Sequence, residues 1–464
     1  MLHGFRKTVN KVRKLSVPLA LLFVLTGCEK SGSTTENEPA TENQMIAETQ
    51  AATEEQTVNE TQTATETKTV TETATQEEVY VHGDDGYYCI LDNFEMELEA
   101  QKDGTCWTYA ASCSMETEYF KRTGKYIDID PYRLVDLIYN DEEEGFIFRD
   151  KSKKYTFGGA QEFVTVILSN GFDGLTLIDS TQVSGKDMEA VKEYIRNRGG
   201  LAACVPDGRS YRRNFHGYLT INQPTANDSF YDHDVTIIGW DDHFPKEYFE
   251  EKAMQDGAWI AYNSMFAGCL YYISYDTELK QIYGHTVTDK YAEVLSHDVG
   301  ITPVTIPDDV GLIIQSPSVF GSGVRVANVY HTKDHPASTK LGAVGTISLA
   351  VDQDVKIEIY DAELKKVLYT QDAHFDSFGY HTVELAEPLE VTDFAIAVTY
   401  GYDVPVEGTG WGDNDLTFKV HSEPGQSFIY LDGAWHDMND PKTAGLAGVD
   451  HELNNAVIKA LMLK

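Results

Sequence analysis

The segment Gln101–Ala110, QKDGTCWTYA, places a cysteine between a small-residue turn and a stretch that can begin a helix. The residues from Cys106 toward Phe120 predict a helix that ends near Gly124, since glycine commonly follows the last helical residue. Cys106 would then lie at the helix N-terminus. A helix N-terminus and a neighbouring imidazolium both lower the pKa of a thiol. The segment therefore predicts a nucleophilic cysteine, with a buried core thiol or half of a disulfide as the alternatives.

A histidine and an asparagine farther along the chain have the chemistry that such a thiol needs. His233 immediately precedes an apolar run, Val235–Trp240, that predicts a strand, so rigid backbone would hold a general base. Asn263 follows a second predicted strand, Ala258–Tyr262, and its amide could orient the imidazole ring by accepting the N–H. The order Cys, His, Asn is the arrangement of papain-like enzymes.

The segments around these three residues resemble the papain-like C1 cysteine peptidases, especially their bacterial surface branch. Cys106 and the tryptophan after it match the nucleophile motif, and DHDVTIIGW around His233 is similar to the family's NHAVxIVGW. Asn263 and the serine after it match the orienting Asn-Ser pair. The resemblance implies an α+β peptidase domain with a helical half and a β half. It also implies hydrolysis of peptide bonds through a thioester on Cys106, with no cofactor.

The same resemblance assigns roles to four further residues. Gln101 corresponds to the glutamine whose side-chain amide, together with the backbone N–H of Cys106, holds the oxyanion. Gly158 and Gly159 resemble the glycine pair whose backbone lines the substrate cleft, and Asp232 is also expected to bind substrate.

The sequence departs from the family's pattern at two places in these motifs. The segment from Gln101 to Cys106 is one residue shorter than in the family. Met265 stands where the family has the tryptophan that covers the His–Asn hydrogen bond. These departures leave a catalytically weak or inactive surface adhesin, with the peptidase fold as a scaffold, as the alternative function.

The N-terminus predicts export and lipid attachment. Five lysines and arginines, with no acidic residue among them, precede an apolar run from Leu15 to Leu25. This run is shorter than the roughly 20 residues that span a bilayer, so it predicts a signal peptide. The LTGC that ends at Cys28 resembles the bacterial lipobox, which implies cleavage before Cys28 and its diacylation. An ordinary secretory signal is the alternative. We therefore expect an extracytoplasmic protein that is anchored to the bacterial membrane by lipid.

Residues 29–79 contain 12 glutamates, 2 lysines and no aromatic residue. Such a composition cannot bury enough apolar surface to offset chain entropy, so it predicts a disordered tether. The whole chain has 37 lysines and arginines against 74 aspartates and glutamates, a formal net charge of -37. Nucleic-acid binding requires a basic surface, and no basic stripe is visible, so we expect no nucleic-acid partner.

From about residue 323 the sequence has the pattern of short strands separated by turns, as in the alternating run Val355–Ile359. This favours an all-β sandwich. Segments near residues 327, 379 and 425 resemble the lectin-like β-domain that follows such peptidase domains. The resemblance implies binding of a surface glycan or another ligand, or packing against the peptidase. Trp411 and Trp435 are candidate stacking platforms, with a core or rim position as the alternative.

Length alone favours two or three domains. We predict these segments: a lipoprotein signal peptide at 1–27, a disordered tether at 28–79, a papain-like peptidase domain at 80–300, a connector at 301–322 and a lectin-like β-sandwich domain at 323–464.

The remaining cysteines and the acidic residues near histidines have simpler interpretations. Export permits disulfides, so either one bridge or four thiols is compatible with Cys89, Cys113, Cys204 and Cys269. The DHD and DDH triplets at 232–234 and 241–243 are compatible with a metal cluster, but carboxylates beside a histidine at a strand end are more typical of turns. We expect no metal site.

Overall fold

The structure is a computed structural model. It describes residues 80, 82–83, 85–140, 144–206, 212–213, 217–224, 231–265, 269–299, 303–305, 312–314, 323–331, 333, 337–407, 415–449 and 452–464. The predicted signal peptide, the lipidation site Cys28 and nearly all of the predicted tether lie outside these residues, as does most of the predicted connector. Within the described part of the chain, none of the helices is both long enough and apolar enough to cross a membrane.

Local sequence signals set the ends of the helices. The helix predicted from Cys106 is confirmed: it ends at Thr123, and Gly124 follows in the left-handed conformation at a φ of 70°. Asp130 begins another helix by accepting from the backbone N–H groups of Tyr132 and Arg133. The described α-helices are α1 (Cys106–Thr123), α2 (Pro131–Ile138), α3 (Gln161–Leu168), α4 (Met188–Asn197) and α5 (Pro441–Ala447).

The first half of the described chain contributes thirteen of the described strands, from Tyr87 to Ile314. They are β1 (Tyr87–Cys89), β2 (Gly145–Phe148), β3 (Thr176–Val183), β4 (Leu201–Pro206), β5 (Arg212–Arg213), β6 (Leu219–Ile221), β7 (Tyr231–Asp241), β8 (Ala258–Asn263), β9 (Cys269–Ser274), β10 (Lys280–Thr288), β11 (Tyr291–Leu295), β12 (Pro303–Thr305) and β13 (Leu312–Ile314).

The second half contributes the remaining described strands. They are β14 (Val324–His331), β15 (Lys340–Ser348), β16 (Gln353–Asp361), β17 (Val367–Phe375), β18 (Gly379–Glu390), β19 (Asp393–Tyr400), β20 (Leu416–Lys419), β21 (Ser427–Leu431), β22 (Ala434–Asp437) and β23 (Ile458–Leu463).

One sheet runs through both halves of the described chain. Its order is β11-β23-β15-β18-β3-β10-β4-β7-β8-β9-β6-β5, and β1 pairs with β7. In its middle, β18 is antiparallel to β3, with Tyr380 opposite Ser180. Toward the other end, β7 and β8 are antiparallel neighbours, with Thr236 opposite Tyr262. The helix α1 packs against this latter region, where the Thr236 hydroxyl donates to the Ala110 carbonyl at 3.1 Å.

A second sheet covers the C-terminal part of the first. Its order is β17-β16-β19-β14-β21-β22. Every second residue along these strands faces inward and forms a core with residues of β15 and β23. Examples are Ile357 and Ile359 on β16 and Ile396 and Val398 on β19. Two layers of β-strands around one apolar core are a sandwich, as expected for this region.

The C-terminal region nevertheless differs from the predicted all-β domain in two ways. It contains the short helix α5, which Asp440 begins by accepting from the Lys442 N–H. One of its sheets also continues into the preceding part of the chain, since β18 pairs with β3 and β11 pairs with β23. Apolar alternation identifies a strand but does not identify its partner, so the sequence did not predict this continuity. The predicted domain boundaries stay predictions.

Two strands in the middle of the shared sheet were missed. The residues of β3 and β10 include several polar side chains, so neither has the apolar pattern of a buried strand. Ser180 on β3 and His285 on β10 are nevertheless fully buried. Their hydrogen bonds to each other and to α3 satisfy the polar groups, which a sequence pattern based on hydrophobicity cannot reveal.

A buried ion pair lies where the two parts of the chain meet. The Lys459 ammonium on β23 lies 2.8 Å from an Asp298 carboxylate oxygen, and both side chains are fully buried. The same ammonium donates to Asn170 Oδ1 at 2.7 Å and to Ser296 Oγ at 3.0 Å. Burial and the Asp298 charge raise the pKa of the nearby Glu407 carboxyl well above its usual range.

Candidate active site

The first residue of α1 is Cys106, and this thiol is almost fully buried. Trp107, directly after it, is also buried and packs against Gly159. A Cβ on Gly159 would lie 2.3 Å from the indole ring of Trp107, so only glycine fits there. The preceding Gly158 has a φ of 93° and its carbonyl accepts from the Tyr139 hydroxyl at 2.6 Å. The structure thus brings the predicted glycine pair against the start of the predicted nucleophile helix.

His233 and Asn263 lie on the neighbouring strands β7 and β8, and their side chains meet. His233 Nε2 is 3.0 Å from Asn263 Oδ1, and both residues are buried. The amide oxygen can only accept, so Nε2 carries the hydrogen in this contact. Asn263 Oδ1 also accepts from the Met265 backbone N–H at 2.7 Å, which fixes which way the amide points. The asparagine therefore holds the imidazole ring in one orientation.

Gln101 is tied to the segment that follows Asn263. Its backbone N–H donates to the Ser264 carbonyl at 2.8 Å, and its Oε1 accepts from the Ser264 hydroxyl at 2.7 Å. Its Nε2 donates to the Asp103 carbonyl at 2.7 Å. Since an amide nitrogen carries two hydrogens, this bond leaves one for another acceptor. The short loop before Cys106 is thus tied at its first residue to the segment after Asn263.

Asp232 interrupts the regular pairing of β7. Val205 pairs with His233 and Pro206 pairs with Tyr231, so Asp232 is the extra residue of a bulge. Bulges of this kind redirect side chains beside functional sites. Here the bulge lies directly before the candidate base.

A buried polar cluster behind these residues was not predicted. It comprises Gln161 on α3, Asp234 on β7 and His285 on β10, which are joined by hydrogen bonds. One signal was available in the sequence. Asp234 is an acidic residue inside an apolar strand, at a position where the family's histidine motif has alanine.

The other sites considered from the sequence are the disulfides, a metal cluster and the two tryptophans. None of the five described cysteines, at 89, 106, 113, 204 and 269, is in a disulfide. No group of three or more histidine, cysteine, aspartate or glutamate side chains in the described residues is arranged to hold a metal ion. Trp411 lies outside the described residues. Trp435 is half-buried, and the guanidinium of Arg325 lies over its ring at 5.0 Å, so part of that ring is already covered.

About the last third of the chain matches a known family model. Residues 308–461 match the family model described as a lectin-like domain. This match overlaps the region from 323 onward that the sequence predicts to be lectin-like.

Solved structures are similar to most of the chain. The cysteine protease and lectin-like domains of Cwp84, a surface layer associated protein of Clostridium difficile, are 16% identical to it, with a TM-score of 0.63. That match covers 83% of this chain and 90% of the other. The clostridial cysteine protease Cwp84 after propeptide cleavage is also 16% identical, with a TM-score of 0.63 over 82% of this chain and 99% of the other. At this identity the likeness is one of fold. The chain therefore has the fold of a papain-like cysteine peptidase with a C-terminal lectin-like domain.

Proposed function

We propose that this protein is an extracytoplasmic cysteine endopeptidase that hydrolyses peptide bonds through a thioester on Cys106. One observation carries the proposal: a buried His233–Asn263 pair, with atoms 3.0 Å apart, lies on the strands that α1 packs against. Cys106, which carries the thiol, is the first residue of that helix. The likeness of fold to the Cwp84 protease supports the same reaction class.

The reaction would begin with a thiolate on Cys106, which the α1 N-terminus and a protonated His233 stabilise. The thiolate attacks the peptide carbonyl, and the oxyanion accepts from the Cys106 N–H and the Gln101 amide. His233 then gives its proton to the leaving amine. Water attacks the thioester, His233 takes a proton from that water, and the Cys106 thiolate leaves. Asn263 keeps the ring oriented throughout.

The substrate would lie along the glycine pair. The backbone of Gly158 and Gly159 has no side chain to block an extended peptide, and it adjoins Trp107 next to the nucleophile. Asp232, on the bulge before His233, is the proposed polar contact to substrate. The lectin-like domain would bind a surface glycan, and Cys28 would carry the lipid anchor.

Replacing Gln101 with alanine should lower kcat for peptide hydrolysis by about 10²–10³-fold, because one oxyanion donor is lost. The matched control is Gln255→Ala, since Gln255 is an exposed glutamine whose amide donates to Asp276, away from the candidate site. Steady-state kinetics on a peptide library measures kcat for both variants. A loss below threefold for the Gln101 variant would show that another group stabilises the oxyanion.

A thiol-directed epoxide tests the proposed reaction directly. The probe should label the wild-type chain at Cys106, found by peptide mapping, and it should not label Cys106→Ala. Cys89, Cys113 and Cys204 are a control within the same molecule, since burial raises the pKa of each of these thiols. Equal labelling of both proteins without peptide turnover would favour the alternative, an inactive surface adhesin built on the peptidase fold.

A further inference from the structure

One buried glutamine connects the neighbour of the proposed nucleophile with the neighbour of the proposed base. Gln161, the first residue of α3, is 1% exposed. Its Nε2 donates to the Trp107 carbonyl at 3.0 Å and to Asp234 Oδ2 at 2.8 Å. Trp107 directly follows Cys106, and Asp234 directly follows His233. A single side chain thus joins α1 to β7 beside both reactive groups.

The orientation of this amide is fixed by a histidine. Gln161 Oε1 lies 3.0 Å from Nε2 of His285 on β10. Burial lowers the pKa of His285 to about 4, so the ring is neutral at pH 7 and carries one N–H. Since Oε1 can only accept, that hydrogen is on Nε2. Nδ1 then accepts from the Ser180 hydroxyl at 3.1 Å. The network allows one orientation of the Gln161 amide, with both donors directed at Trp107 and Asp234.

Asp234 is the anionic end of this network. Burial raises the pKa of its carboxyl to about 6, and donation from Gln161 and from the Cys204 thiol opposes that rise. At pH 7.5 the carboxylate is therefore mostly ionised and accepts a charge-assisted hydrogen bond. Glu162 on α3 also faces the cluster, and burial raises its pKa to about 8. Further titratable groups there are Tyr283 and His285 on β10 and the Cys204 thiol on β4, and the Asp179 carboxylate on β3 acts on His285.

A purely structural core has no need of this arrangement. Burying a carboxylate and an amide costs free energy unless every polar group is paired, and apolar residues of similar volume would fill the same space without that cost. In return, the network fixes distances more tightly than apolar contacts do, because its bonds are directional. The bonds reach the residues beside the thiol and the imidazole, where small displacements reduce the rate most.

We propose that Gln161 is a positioning residue, which holds the start of α1 and the start of β7 at the separation that the Cys106–His233 pair requires, with Asp234 as its anchor. This inference rests on the proposed function. It predicts that the loss of the Gln161 amide separates the thiol from the imidazole without removing either group.

The experiment measures the rate of Cys106 alkylation by iodoacetamide between pH 4 and 10, in the full chain, with peptide mapping to identify the site. In the wild type, the alkylation rate should reach half of its maximum at a pH well below about 8.5, the pKa of an unperturbed thiol. We call this pH the Cys106 midpoint. In Gln161→Met, which keeps the volume and removes the hydrogen bonds, the midpoint should rise by about one pH unit or more. The kcat for peptide hydrolysis should fall about 10²-fold with KM within about threefold.

The matched control is Gln353→Met in the lectin-like part of the chain. Gln353 is also a fully buried glutamine, and its Oε1 accepts from the Ser348 hydroxyl at 2.6 Å. This control should lower the melting temperature and leave the Cys106 midpoint unchanged. If Gln161→Met does not fold, Gln161→Leu removes the same hydrogen bonds with an apolar side chain of similar size and no new charge, and the same rise is expected.

The outcomes separate this inference from the function on which it rests. If the wild type has a low Cys106 midpoint and both Gln161 variants have the same midpoint, with only the melting temperature changed, the positioning role is wrong and the proposed function stands. A wild-type midpoint near 8.5 overturns the proposed function and the positioning role together. A rise in the Gln161 variants that is absent from Gln353→Met supports the role.

Discussion

Replacing His233 with alanine should lower kcat for peptide hydrolysis by about 10⁴-fold or more, while the fold is retained. The proposed reaction needs the imidazole twice, to stabilise the thiolate and to protonate the leaving amine, and in such a group of residues the loss of one member removes most of the catalysis. Asn263→Ala should cause a smaller loss, because the ring remains but is no longer held by the 3.0 Å hydrogen bond.

The measurement is steady-state turnover of a peptide library, combined with a melting curve for each variant. His331→Ala is the matched control, since His331 is an exposed histidine on β14 that pairs with Asp393. It should retain wild-type turnover. If His233→Ala keeps more than about a tenth of the wild-type kcat, the Cys-His-Asn mechanism is wrong for this protein.

Replacing Lys459 with methionine should lower the free energy of unfolding by about 3–5 kcal/mol, the usual cost of removing one member of a buried ion pair. Asp298 would lose its cation while remaining fully buried, and Asn170 and Ser296 would lose a donor. These residues lie on both sides of the junction between the peptidase region and the lectin-like region. The loss should therefore appear in the main unfolding transition that both share.

Urea unfolding followed by circular dichroism measures this effect. The control is Lys290→Met, whose exposed pair with Glu384 is expected to contribute less than about 1 kcal/mol. The double variant Lys459→Met with Asp298→Asn should recover part of the stability, because the unpaired charge is removed. A loss below about 1 kcal/mol in the single variant would show that the buried pair does not stabilise the junction.

Glu407, which lies beside the same ion pair, should make the free energy of unfolding depend on pH. Its folded pKa is raised, so between the unfolded value of about 4.3 and the folded value the folded chain binds one proton more than the unfolded chain. The free energy of unfolding therefore decreases as pH rises through that window. In Glu407→Gln, which keeps the size of the side chain and cannot ionise, this part of the decrease should be absent.

Local signals in the sequence predicted the parts of the site that depend on short segments. Glycine after the last helical residue and a small-residue turn before Cys106 predicted α1, and the structure confirms the helix from Cys106 to Thr123. The apolar run Val235–Trp240 predicted β7, which begins four residues earlier, at Tyr231, so that His233 lies within the strand. These elements form from interactions between residues close in sequence, so the sequence pattern is sufficient to identify them.

Local sequence signals could not predict the strands β3 and β10, which carry several polar side chains. On β3 and β10, Ser180 and His285 are buried and hydrogen-bond to each other, and His285 also bonds to Gln161. Their burial depends on partners more than 100 residues away, and hydrophobicity along the chain does not report such partners. The same is true of Lys459, a buried cation whose partner Asp298 is far away in sequence.

The sequence by itself determined which groups are available: a thiol at a helix start, a histidine before one apolar run, an asparagine after another, and a glycine pair. The tertiary structure alone decided how they meet, because strand pairing sets the distance between His233 and Asn263, and a buried glutamine links the residues beside Cys106 and His233. It also decided that one sheet passes from the peptidase region into the lectin-like region. Pairing between distant strands depends on shape and hydrogen bonding in the folded core, which no short segment contains.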